Sequence, residues 1–149
     1  TIYSAFLGEY KDLKTLFYGH SFCGNPVGCA AALASLEVFE SEQTLAHLQE
    51  KIKHLADLLL RVRHNAYVFD TRQVGFISGI EIRKPDGTPF EWTEQTGARI
   101  CQRAREYGLL TRPVLDPLVF MPPYCITKTQ MDAAFVALNQ AILDICQGT

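Results

Sequence analysis

The apolar positions of this chain follow two different periods. Between Thr44 and Val62, the residues Leu45, Leu48, Ile52, Leu55, Leu59 and Val62 recur at steps of three and four. That spacing lines one face of an α-helix and predicts a long amphipathic helix. Between Phe76 and Arg83 the period drops to two, through Phe76, Ser78, Ile80 and Ile82. This alternation predicts a half-buried strand, and Tyr67 to Thr71 has strand character as well. Pro85-Asp86-Gly87 is a turn signal. Helical spacing returns from Thr93 to Tyr107, with Ile100, Cys101, Ala104 and Tyr107 on one side and Gly108 at the C-terminal cap. Leu109 to Thr111 and Leu118 to Met121 read as short strands around a loop holding Pro113 and Pro117. Thr127 and Gln130 form a capping-box pattern before a last helix, whose buried face carries Met131, Phe135, Leu138, Ile142 and Ile145.

From about Asn65 the order is therefore strand, strand, helix, strand, strand, helix. It predicts a small α+β sandwich, one sheet covered by helices. Upstream, Thr1 to Leu16 has only weak periodicity and reads as a short helix and a connector. Asn25-Pro26 is a helix start: the Asn side chain accepts from the free N–H groups of the first turn, and Pro suits the first helical position. That helix should run to about Phe39. Its apolar stretch is interrupted by Ser35 and Glu37 and is too short for a membrane span, so a buried helix is expected.

Composition narrows the class rather than changing it. Hydrophobic residues make up 48% and charged residues 20% of 149, which excludes a disordered chain. The net charge is −2 without a basic stripe, which argues against nucleic acid as a partner; nothing points to a membrane. Five cysteines lack metal-ligand spacing and a regular framework, and so read as reduced thiols of a cytoplasmic protein. His47 and His54 share a helix face, but no third ligand accompanies them; a solvated face is expected and no metal site. Ser/His/Asp triads, Gly-x-Gly-x-x-Gly and Walker-type motifs are absent from the sequence, which removes support for a hydrolase or an ATPase.

Two places carry candidate chemistry. Gly19-His20-Ser21-Phe22-Cys23-Gly24 is a polar, glycine-containing loop leading into the helix at Pro26. Backbone donors and the helix dipole would make it an anion site, although an ordinary capped loop fits the same residues. Cys23 reads as a small loop filler, since no base stands at a fixed spacing. Arg112 ends an apolar strand before a proline-bounded loop, and its planar fork suits a carboxylate in two-point contact. A rim arginine paired with Asp116 is the other reading. Tyr124, after Met121-Pro122-Pro123, is compatible with the core or with a substrate tunnel.

The loop from Gly19 to Pro26, followed by Val27-Gly28-Cys29-Ala30-Ala31-Ala32-Leu33-Ala34, resembles the class III aminotransferases. These are fold-type I enzymes that use pyridoxal 5'-phosphate (PLP). The resemblance implies that Ser21 binds the cofactor phosphate, from the neighbouring subunit of a dimer, within a loop that includes His20 and Gly19. Gly108 to Pro113, running on to Met121-Pro122-Pro123-Tyr124-Cys125-Ile126-Thr127, is similar to the branch of that family that serves biotin synthesis with S-adenosylmethionine as amino donor. There, an arginine at the position of Arg112 binds the carboxylate of the amino-accepting substrate. A transaminase acting on an ω-amino acid or ornithine shares the Ser21 loop and is the alternative within the family. A non-catalytic half that only assembles with a partner, or a remnant lacking the Schiff-base lysine, is the alternative outside it.

The resemblance covers essentially the whole chain but only about the last third of such an enzyme. It implies that residues 1–62 are the end of the large PLP domain with its connecting helices, and 63–149 the small C-terminal domain. The Schiff-base lysine of the family lies upstream of the Ser21 motif, where this chain has eighteen residues. Lys11, Lys14, Lys51, Lys53, Lys84 and Lys128 do not match its context. The expectation is a C-terminal piece that holds no catalytic lysine, works with small-molecule substrates, and needs a homodimer or a complementary N-terminal chain.

Overall fold

Asn25 opens the first helix as its sequence predicts. Its side-chain oxygen accepts the N–H of Val27 at 2.9 Å, with Pro26 at the first helical position, and helix α1 runs Pro26–Ser41. A computed structural model of the chain describes residues 1–147. They form two compact units, residues 1–42 and 43–147.

The first unit contains two 3₁₀ turns, Tyr3–Phe6 and Tyr10–Asp12, then the loop before α1, then α1 itself. None of the residues of α1 is buried, which corrects the expectation of a buried helix. The physical reason is size. Some forty residues cannot enclose a hydrophobic interior by themselves, and Val27, Leu33 and Leu36 are each more than 60% exposed.

The second unit holds the core. Helix α2 (Thr44–Val62) follows the predicted stripe: Leu48, Leu55, Leu58, Leu59 and Val62 are buried, while Leu45 at the first turn is exposed. Strands β1 (Val68–Val74) and β2 (Ile77–Ile82) form an antiparallel pair. Helix α3 (Thr96–Glu106), the short β3 (Arg112–Pro113), β4 (Leu118–Phe120) and α4 (Lys128–Cys146) complete the unit. The sheet order is β1-β2-β4-β3 with every pair antiparallel. The predicted α+β order therefore stands, though β3 lies just beyond the expected Leu109–Thr111.

Alternation in β2 does what its period implies. Ser78, Ile80 and Ile82 point to the covered face, while Ile77, Gly79 and Glu81 point to the open face. Leu118 and Phe120 continue the covered face in β4. They pack with Ile100 and Ala104 of α3, with Met131, Phe135, Leu138 and Ile142 of α4, and with Leu55 of α2 in one cluster. Phe120 and Phe135 meet edge to face, ring centres 5.1 Å apart. Full burial of a side chain such as Leu55 stabilises by about 1.5–3 kcal/mol relative to exposure. Tyr107, expected on the buried side of α3, is instead 41% exposed. Its hydroxyl donates to Asp144 at 2.6 Å, so the polar tip draws the ring to the rim of α4.

His54 corrects another expectation. Its Nε2 lies 2.9 Å from Asp132 Oδ1 on α4, and its side chain is only 19% exposed. It ties α2 to α4 instead of sitting on a solvated face, whereas His47 is exposed.

Candidate functional site

The loop before α1 is a turn that leaves its polar groups outward. The His20 N–H donates to Cys23 Sγ at 3.1 Å, and the Cys23 N–H donates back to the His20 carbonyl at 2.9 Å. Asn25 N–H then donates to the Phe22 carbonyl, and Gly24 takes φ +71°, a left-handed conformation that glycine adopts without strain. The reciprocal pair gives Cys23 the structural part expected of it. His20 stacks on Phe22, with ring centres 4.9 Å apart and planes 7° apart, while its Nε2 sits 3.0 Å from the Tyr18 hydroxyl. An aromatic rail of Tyr18, His20 and Phe22 thus stiffens one side of the turn.

Ser21 sits at the crest of this turn and is exposed. Among the described residues, its hydroxyl and the backbone N–H groups of Ser21, Phe22 and Gly24 donate to no partner. A free hydroxyl and several free amides beside a helix N-terminus form a donor set suited to a phosphate. The residues present therefore fit the phosphate of PLP. Gly19 is open: a Cβ built there meets nothing within 4 Å.

Arg112 belongs to the second unit, on edge strand β3, paired with Val119 of β4. Its side chain is exposed, and among the described residues it makes no hydrogen bond or ion pair. The pairing with Asp116 considered from the sequence is not formed. The Asp116 carboxylate instead accepts the Gly97 N–H at 3.0 Å, at the start of α3, where Gln95 supplies no side-chain cap. Gly97 is required there, because a Cβ would stand 2.6 Å from the Asp116 carbonyl oxygen and 2.8 Å from its Cα. The Thr111 hydroxyl donates to the Val119 carbonyl at 2.6 Å, and Val114 N–H to the Pro117 carbonyl at 2.9 Å. Arg112 is thus held on both sides, by Thr111 before it and by the turn braced on α3 after it.

The open face of the sheet carries more charge than sequence reasoning identified. Arg83 donates to Glu81 at 2.7 and 3.0 Å and lies over the Phe69 ring at 3.9 Å, and Arg72 approaches the same carboxylate at 3.4 Å. Glu81 therefore engages two arginines, while Arg112 keeps its charge uncommitted. The contact between Gly97 and Asp116 also escaped the sequence reading. The one available signal was a helix start with no capping side chain of its own. Among the described residues, no group of three or more His, Cys, Asp or Glu could hold a metal ion. No described helix is long and apolar enough to cross a membrane.

The pattern of the aminotransferases, class III, matches residues 2–142. The chain belongs to that family. Its cofactor is PLP, and its fold is that of the fold-type I enzymes. The adenosylmethionine-8-amino-7-oxononanoate aminotransferase of Geobacter sulfurreducens is 42% identical over 149 residues, covering 99% of this chain and 33% of the relative. The crystal structure of the enzyme of that name from Methanocaldococcus jannaschii superposes with a TM-score of 0.87 at 34% identity, covering 97% of this chain and 33% of that one. An omega-aminotransferase from Paracoccus denitrificans gives a TM-score of 0.84 at 27% identity, over 93% and 31%. The chain spans about a third of the length of the relatives it matches.

Proposed function

We propose that this chain is the C-terminal third of a PLP-dependent aminotransferase of the biotin pathway. The enzyme moves an amino group from S-adenosylmethionine to 8-amino-7-oxononanoate and gives 7,8-diaminononanoate. The observation that carries this reading is the 42% identity, over essentially the whole chain, to a relative of that name. The omega-aminotransferase fold neighbour is similar at a lower identity, which favours the biotin-pathway reading over an ω-amino acid transaminase.

In this reading residues 1–62 end the large domain and 63–149 form the small one, with α2 packed against α4 as the connecting helix. Ser21, with His20 and Gly19 in the same turn, binds the cofactor phosphate of a neighbouring subunit. The enzyme acts as a cytoplasmic homodimer, or this chain joins a complementary N-terminal chain. The exposed apolar residues of the first unit support a covered state, since a surface rich in large apolar groups marks an interface. When bound, PLP supplies the electron sink for amino transfer. The part of this chain is to orient: Ser21 Oγ and the free amides fix the phosphate, and the Arg112 guanidinium fixes a substrate carboxylate. No lysine here is assigned the proton transfer.

The test uses the complete enzyme, this chain joined to the preceding two-thirds of the Geobacter sulfurreducens relative. Arg112→Ala should raise KM for 8-amino-7-oxononanoate roughly ten- to hundredfold, the worth of a charge-assisted contact. KM for S-adenosylmethionine should stay within about twofold. Equal weakening of both substrates would count against the assignment.

A further inference from the structure

The strand register places four residues in one row across the open face: Arg72 of β1, Gly79 of β2, Val119 of β4 and Arg112 of β3. Gly79 is the anomaly. It sits in the interior of a central strand, where glycine loses backbone entropy and offers no side chain to the sheet. None of the usual internal reasons explains it. Its φ is not positive. The register runs unbroken through it, the one irregularity lying at Val68/Asp70. A Cβ built on it meets nothing within 4 Å, so no group of this chain needs the space.

A glycine that the chain itself does not require marks a place where something from outside approaches the backbone closely. Neighbouring strands lie about 4.8 Å apart, so Gly79 stands two spacings, about 10 Å, from the row position of Arg112. Between them lies Val119, half-buried and apolar. The row therefore reads, from the edge inward, as a free cation, an apolar step and a bare stretch of backbone. At its far end Arg72 is already engaged with Glu81.

We propose that Gly79 is a specificity-determining residue: it leaves room on the open face for the aliphatic chain of an amino acceptor whose carboxylate is held by Arg112. The inference rests on the substrate role given to Arg112 above. It assigns the ligand a class, a carboxylate on a flexible apolar chain long enough to cross Val119. A side chain at position 79 would stand in the path of that chain.

The complete enzyme described above, carrying Gly79→Ala and Gly79→Leu, tests this. Because a Cβ at 79 meets nothing in this chain, Gly79→Ala should keep the thermal midpoint, and both variants should keep the absorbance of bound PLP. KM for 8-amino-7-oxononanoate should rise in the order Gly, Ala, Leu, reaching at least tenfold for Leu, with KM for S-adenosylmethionine unchanged. If Arg112→Ala raises the acceptor KM and Gly79→Leu does not, this inference fails while the role of Arg112 stands. If neither variant moves it, both fail. Loss of PLP or of the dimer in Gly79→Leu would show that protein, not substrate, covers position 79 and would overturn the proposal.

Discussion

Gly97 fixes the turn that follows Arg112 through a close backbone approach. The atoms that a Cβ would strike are backbone atoms of Asp116 and Leu115, so no side chain can rotate away to make room. Gly97→Ala should therefore act as an overpacking substitution, costing about 1–3 kcal/mol, and should push the turn before β4 off the start of α3. Urea unfolding of the variant and the parent measures this; an unchanged midpoint would show that the contact yields freely. The sequence showed Arg112 as a residue suited to carboxylates and left open whether Asp116 neutralised it. That question could not be settled from spacing, because Asp116 finds its partner at Gly97, nineteen positions away, through packing of a turn on a helix. The turn that carries Ser21 and the helix start at Asn25 were legible for the opposite reason. Both are built from contacts within a few residues, and local chemistry is what a sequence displays.

Among elements, helices with a clear apolar stripe were read with their ends nearly correct, even where, as at Gln43 before α2, no side chain caps the start. The helix at Thr44–Val62 matched, and the last helix begins where Thr127 and Gln130 exchange hydrogen bonds, 3.1 Å from the Gln130 N–H to Thr127 Oγ1 and 2.8 Å from the Thr127 N–H to Gln130 Oε1. Thr127→Ala removes one of these and should cost about 0.5–2 kcal/mol. Because α4 buries Met131, Phe135, Leu138 and Ile142 in the core, the loss should appear in global thermal unfolding and not only as local fraying. Thr127→Ser should restore most of it. Elements whose fate depends on a partner were read less well. Two-residue β3 has no period of its own to show, and α1 has apolar residues but nothing in its own unit to bury them. His54 was misread because its partner Asp132 lies 78 positions on, beyond any local pattern.

For the molecule as a whole, one contribution to stability that acid should remove lies at the junction of α3 and α4. Hydrogen bonds from Tyr107, Gln140 and Arg103 hold the Asp144 carboxyl down at about 2. An unfolded aspartate titrates near about 3.9, so the folded state has the lower pKa. Its contribution is complete above about pH 4 and is lost as pH falls through about 2. Tyr107→Phe deletes the leading hydrogen bond and should flatten the fall in thermal midpoint between about pH 4 and 2. A fall as steep as the parent's would locate the acid sensitivity elsewhere.

The uneven burial of the chain has a consequence for calorimetry. Among the described residues, every buried core residue lies between Leu48 and Cys146. The heat-capacity increment of unfolding follows the apolar surface newly exposed to water, and the helix beginning at Pro26 already has its apolar groups in water. The first forty-two residues of this chain are therefore nearly silent in a melting curve. An unfolding enthalpy divided by 149 residues would understate how firmly the remainder is packed.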